Sequence, residues 1–176
     1  GSEYLTWAMN STLPAFVAHR FKKSNIVVFS SGNIYPLVPL SHGGCTEEDR
    51  PGPIGEDAQS CLARERAFEY ASKQYGTKVL IYRLNAAVDI RYGVFYDIAR
   101  SILDGKPVSL TNPGFNCIWQ GSANEIAIRA LLHCESPARI LNVTGPEFVS
   151  VRYAAKRLSA HLGREVTFVG KEENDA

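Results

Sequence analysis

Apolar residues in this chain recur with two periods, and the switch between them marks the elements. Between Leu5 and Lys22 they fall at Leu5, Met9, Leu13, Phe16 and Val17, the spacing of one helix face. Pro14 lies inside that run and predicts a kink, because proline has no N–H and its ring presses on the carbonyl one turn back. Arg20, Lys22 and Lys23 crowd the last turn, where cations complement the helix dipole. The pattern then changes. Ile26, Val27, Val28 and Phe29 are an unbroken β-branched and aromatic run, which predicts a parallel strand over 25–29 covered on both faces. Gly32 to Ile54 is rich in Gly, Pro and Ser and reads as a loop. A loop of that length in a compact domain generally serves a site.

Helical spacing returns from Asp57 to Tyr75. Ala58, Cys61, Leu62, Glu65, Phe68, Ala71 and Ser72 form one face, and Arg64, Arg66, Glu69 and Lys73 the other. Asp57 suits an N-cap and Gly76 a stop. Further strands are predicted over 78–83, 106–110, 115–120, 139–143 and 165–169, and helices over 93–103, 122–133 and from Ser150 to the stop at Gly163. Ser122 and Glu125 have the spacing of a capping box. The charged tail, 171–176, is expected to be disordered. Strands alternating with helices imply an α/β fold with a parallel sheet.

Composition narrows the function classes. The chain of 176 residues is long enough for a real core. A formal charge of +1 gives no electrostatic reason to expect nucleic acid or an anionic membrane as partner. No apolar run approaches the ~20 residues of a spanning helix, and no signal-peptide pattern is visible. Cys45, Cys61, Cys117 and Cys134 are too widely spaced for a zinc ribbon or a dense disulfide framework. They fit free thiols in a reducing, cytoplasmic setting.

Candidate chemistry gathers at the end of the first strand. Ser30 and Ser31 stand at its carboxyl end, where open α/β sheets bind ligands. His42 and Cys45 are close in sequence, but a metal site needs two further ligands and none lies nearby. A thiol hydrolase built on Cys45 or Cys61 with His42 lacks a third group to orient the base.

Three stretches carry a family resemblance: FSSGNIYP with the helix that begins about twenty residues later, YRLNAAVDIRYG, and LNVTGPEFVSVRYAAKRLSAHLGREVTF. Together they resemble the extended short-chain dehydrogenase/reductases, and more narrowly the NAD-dependent epimerase/dehydratases of nucleotide sugars. The resemblance spans nearly the whole chain but only the later part of the family's domain. It implies a partial Rossmann-like parallel sheet with flanking helices and small carboxy-terminal α/β elements. Residues 1–92 would belong to the nucleotide-binding part and 93–170 to the substrate part interleaved with it. It implies NAD or NADP as cofactor and a nucleotide sugar as ligand. Ser31 matches the family serine, and Asn10 an asparagine of the preceding helix. Arg83 and Asn85 match a loop that passes near the nicotinamide, which Ala86 and Ala87 leave short of side chains.

Two departures matter. The family's tyrosine and lysine, four residues apart on the helix, fall on Asp57 and Cys61. In the family the lysine cation helps lower the pKa of the tyrosine, which acts as acid and base. A thiol offers no cation, and a carboxylate is a weak base for a sugar hydroxyl. Losing a positioned proton-transfer group removes ~10²–10⁴ in rate. The glycine-rich turn that grips the pyrophosphate also has no counterpart, since Gly43–Gly44 and the Gly52/Gly55 pair lie in a loop. The expectation is therefore a fragment or inactivated form of such an enzyme, with Ser31, Asp57 and Cys61 in the catalytic positions. The alternative is a non-enzymatic pseudoenzyme or self-associating scaffold, using helices 5–22 and 57–75. A third reading places new small-molecule chemistry at Asp57, Cys61 and Ala86–Ala87. An open sheet edge beside 25–29 would invite a second copy or a complementing chain.

Overall fold

The computed structural model describes residues 2–171, without the side chain of Leu40; the tail expectation thus falls almost wholly outside the described residues. In chain order the helices are α1 (Glu3–Trp7), α2 (Leu13–Arg20), α3 (Gly55–Tyr75), α4 (Val94–Leu103), α5 (Gln120–Ala130) and α6 (Val151–Leu162). The strands are β1 (Asn25–Ser31), β2 (Lys78–Leu84), β3 (Ala86–Val88), β4 (Val108–Ser109), β5 (Gly114–Phe115), β6 (Cys117–Trp119), β7 (Arg139–Val143), β8 (Val149–Ser150) and β9 (Phe168–Val169). Short 3₁₀ turns occupy Gly32–Ile34, Leu40–His42 and Leu131–His133.

The chain divides into two compact units. The first comprises Gly1–Pro36, Cys45–Asn85 and Asn124–Val143, and the second Leu37–Gly44, Ala86–Ala123 and Thr144–Ala176. The first unit is built on a parallel sheet in the order β1-β2-β7. Side chains alternate across its faces. Ile26 and Val28 of β1, Val79 and Ile81 of β2, and Ile140 of β7 point to the face covered by Val17 and Ala18 of α2 and by Phe68 and Ala71 of α3. Leu80 and Tyr82 are fully buried as well, so β2 is covered on both faces, as its unbroken apolar run requires. Gly76 closes α3 in the left-handed conformation, at φ 71°, which only glycine adopts without cost.

The kink expected at Pro14 takes a specific form. Between α1 and α2, residues Ala8–Thr12 form a π-helical turn, and the Leu13 N–H bonds five residues back to Ala8 O. Pro14 has no N–H to offer Asn10 O. Widening the turn accommodates that loss within one continuous helix.

The second unit has its own core. Ile98 and Ile102 of α4 pack with Val151, Ala154 and Ala155 of α6 and with Val108 and Leu110. Three small pairings frame it: β3 with β6 and β4 with β9, both parallel, and β5 with β8, antiparallel. Gly114 is required here, because a side chain would run into the Phe148 ring and Val149 O.

Several element expectations are corrected. The stretch 115–120 is not one strand: β5 and β6 belong to different pairings. Helix α5 starts at Gln120, so Ser122 lies inside it and caps nothing. Helix α3 starts at Gly55, and Asp57 sits in its first turn rather than at the cap. The last strand shrinks to two residues. Strand β3 falls where the sequence predicts a loop, because AAV is too short and too small-chained to register as a strand pattern.

Candidate functional site

A polar row crosses the sheet near its carboxyl end. Ser30 of β1 is in register with Arg83 of β2, and Arg83 with Asn142 of β7. Glu65, from the buried face of α3, closes over this row. Its Oε1 accepts from Ser30 Oγ at 2.5 Å and from Arg83 Nε at 3.0 Å, and its Oε2 accepts from Arg83 Nη2 at 2.8 Å. The pair is 0% and 3% exposed, a bidentate ion pair inside the protein. Arg83 Nη1 donates to Tyr35 Oη at 2.6 Å, and Tyr35 Oη donates to Asn142 Oδ1 at 2.8 Å. Burial pulls the Arg83 guanidinium down, but the bond and charge of Glu65 outweigh it and hold the group above its ordinary value.

The row also ties down the long loop. The Asn142 backbone N–H donates to Glu47 Oε1 at 2.7 Å, and Asn142 Nδ2 donates to Cys45 O at 3.3 Å. Asp49 Oδ2 accepts from Thr46 N and Thr46 Oγ1, so residues 45–49 form a self-bonded strap.

The predicted site residues of the first unit lie around this end of the sheet. Ser31 Oγ accepts from the Asn33 N–H at 3.1 Å and caps the turn that follows β1. The Asn85 side chain lies against Gly32, whose missing Cβ would stand 3.4 Å from Asn85 Oδ1. Helix α3 packs along β1 and that turn, which brings Asp57 and Cys61 to the same flank. Glu65, one turn beyond Cys61, bonds to Ser30, the neighbour of Ser31. Strand β1 and helix α3 are therefore adjacent.

Asp57 sits in a tight polar knot with Asn10, Ser60 and Arg64. Asn10 Nδ2 donates to Ser60 Oγ at 3.0 Å and to Asp57 Oδ1 at 3.3 Å. Arg64 answers from the next turn of α3: Nη2 donates to Asn10 Oδ1 at 2.6 Å, Nε to Asn10 O at 3.1 Å, and Nη1 to Phe29 O at 2.6 Å. The Trp7 indole donates to Glu56. Cys61 is buried. Burial pushes its thiol up, and although Arg64 opposes this, Asp57 and Glu65 add to it. Burial first, then Asp49, likewise raises Cys45. Neither thiol is poised as a nucleophile.

The remaining candidates do not assemble. His42 Nδ1 lies 2.8 Å from Gly44 O. Among the described residues no group of three or more His, Cys, Asp or Glu is arranged to hold a metal. Ala86 and Ala87 form β3 in the second unit. The donors at the carboxyl end of β1 and β2 are engaged within the protein. Arg83 is engaged within the protein, and the Asn33 N–H at the end of β1 is already bonded to Ser31 Oγ.

Glu65, Asn142 and Arg64 take no functional role from the sequence pattern. Glu65 carried a usable signal, a carboxylate in the middle of an apolar helix face. Arg64 and Asn142 carried none, since their partners lie far away in sequence.

No family model matches the chain, and no curated protein matches it. Solved structures do. The UDP-glucuronic acid 4-epimerase from Bacillus cereus, in complex with NAD, aligns at TM-score 0.79 and 15% identity, over 96% of this chain and 57% of that one. A UDP-galactose 4-epimerase aligns at TM-score 0.76 and 19% identity, over 97% and 60%. The Thermus thermophilus UDP-glucose 4-epimerase, complexed with NAD, aligns at TM-score 0.65 and 25% identity, over 81% and 50%. The chain is thus structurally similar to NAD-dependent epimerases of the extended short-chain dehydrogenase/reductase type, and spans about half their length. Its sheet and flanking helices are Rossmann-like, as in those structures.

Proposed function

We propose that this chain is the later part of an NAD(P)-dependent nucleotide-sugar epimerase or dehydratase, in a form that has lost its proton-transfer pair. The observation that carries this reading is the scaffold match over nearly the whole chain, combined with Asp57 and Cys61 at the two helix positions beside the serine strand. Ser31 retains a place where it can meet a sugar hydroxyl. Asp57 is a carboxylate held by Asn10, and Cys61 is a buried neutral thiol; neither delivers the tuned proton that the chemistry needs. Dinucleotide binding belongs to the half of the domain that these residues do not supply.

The test joins the chain to a glycine-rich dinucleotide half and restores Asp57→Tyr with Cys61→Lys. UDP-glucose turnover with NAD should rise by about 10²–10⁴ over the unrestored protein. No gain in a folded, NAD-bound protein would remove this reading.

A second reading, a non-enzymatic self-associating module, rests on a separate observation. Leu5, Met9, Leu13 and Phe16 are all exposed on the α1–α2 helix, although their spacing is that of a buried face. A second copy of the chain is the partner such a stripe fits.

A further inference from the structure

The amino end of the β1-β2-β7 sheet, opposite the polar row, gathers cations and rings. Helices α2 and α3 each lead into a strand of this sheet and cover the same face, and β1 and β2 are parallel. The last turns of the two helices therefore arrive together beside Asn25 and Lys78, which are in register. Thr77 Oγ1 donates to Lys22 O at 2.9 Å and ties the two segments. Lys22 Nζ stands 3.8 Å from the centre of the Tyr75 ring, and the rings of Tyr70 and His19 meet Tyr75 edge-on, each at 6.0 Å. The Arg20 guanidinium lies over Phe21 at 5.7 Å. Lys73 follows Tyr70 by three residues, on the same helix face. Lys23, two residues ahead of β1, and Lys78, the first residue of β2, are exposed.

Two acids border this surface, Glu69 beside Tyr70 and Glu135 bridged to Val79. Both already pair with arginines, Arg66 and Arg139. Among the described residues no carboxylate pairs with Arg20, Lys22, Lys23, Lys73 or Lys78. Cations at a helix end complement its dipole, but two carboxyl ends offset only about one of these five charges. The local excess is thus about four, which the whole-chain value of +1 averages away. Cations alone would suit any polyanion, and the rings narrow the partner. Tyr70 is 60% and Phe21 50% exposed, each within a turn of a cation. Phosphates followed by bases use both groups, whereas an acidic peptide uses the charges and leaves the rings idle. A duplex hides its base faces, so the strand has to be single. We infer that this end of the sheet binds single-stranded nucleic acid, with Lys22, Lys23 and Lys78 on phosphates and Tyr70 stacked on a base. The surface stands at the other end of the strands from Ser31, Asp57 and Cys61, and its binding is independent of any turnover there.

The test follows the anisotropy of a short fluorescein-labelled oligouridylate titrated with the chain. Affinity should fall about twentyfold between about 50 and 200 mM NaCl, the slope for some three phosphates on a single strand. Lys23→Glu with Lys78→Glu should weaken binding at low salt more than about tenfold and flatten that slope. Tyr70→Ala should weaken it about tenfold and leave the slope unchanged, because a ring releases no counterion. Lys156→Glu with Arg157→Glu, on α6 in the second unit, should leave affinity as it was. All five side chains are exposed, and circular dichroism should report unchanged folds. Equal affinity for a duplex of the same length or for polyglutamate would overturn the inference, as would full affinity in the Tyr70→Ala chain. Attachment to phosphatidylserine vesicles without oligonucleotide binding would assign the surface to a membrane instead. An equal loss from the α6 pair would move the site elsewhere, and no binding at about 100 μM chain in low salt would leave no site at all.

Discussion

Glu65 shows how much one residue decides. A carboxylate with no exposed surface keeps its charge only if the protein replaces every water it lost, and here Ser30 and the Arg83 fork do so. Breaking such a pair is far worse than never having had it, because the survivor is left charged and buried. Glu65→Gln should therefore destabilise the chain by ~3–5 kcal/mol, read from the urea midpoint at unchanged slope. The double replacement Glu65→Met with Arg83→Leu should recover much of that loss. A Gln variant as stable as the parent would show that the network carries no weight. The sequence displayed half of this arrangement. Glu65 interrupts an apolar face, which marks it as unusual, but the identity of its partner follows only once β2 lies beneath α3. Ser31 was legible as a strand-end hydroxyl. Its capping bond to the Asn33 N–H was one of two roles open to such a residue.

At the scale of elements, the helix-strand order was readable and the junctions were not. Strand β1 declared itself through an unbroken β-branched and aromatic run, β2 and β7 through short apolar runs, and Gly76 and Gly163 marked helix ends that the structure closes in the left-handed conformation. The π-helical turn is a harder case. Pro14 announced a disturbance, but what satisfies Asn10 O is the Arg64 guanidinium, 54 residues away. Arg64 thereby joins α1–α2, α3 and β1 through three acceptors, whereas Arg66 makes only a surface pair with Glu69. Arg64→Met should cost about 1–2 kcal/mol, toward the low end of the range for unpaired acceptors because the Asn10 acceptors are only partly buried and Phe29 O is exposed. Arg66→Met should change stability by no more than about 0.5 kcal/mol. Equal effects in parallel urea titrations would contradict the assignment. The lost strand expectation at 115–120 has the same origin as the missed β3: two- and three-residue pairings are chosen by tertiary neighbours, as Gly114 under Phe148 illustrates.

At the scale of the molecule, the question is what the exposed apolar surface is for. Leu13 is 48% and Phe16 70% exposed, on a helix whose opposite side is already packed against α3 and the sheet. Scattered apolar residues on a surface need no explanation, but a helically spaced row of four large ones does. A row of this kind is self-complementary across a twofold axis, so a second copy can bury it without any other partner. The chain should therefore sediment as a dimer at micromolar concentrations. Leu13→Glu together with Phe16→Glu should shift it to monomer with its helix content unchanged, because both side chains point away from the core. Arg64→Met, which loosens the fold without touching the row, serves as the contrast and should leave the dimer intact at temperatures where it stays folded. A parent chain that remains monomeric across the whole concentration range would leave the row without its proposed occupant, and with it the case for a self-associating module.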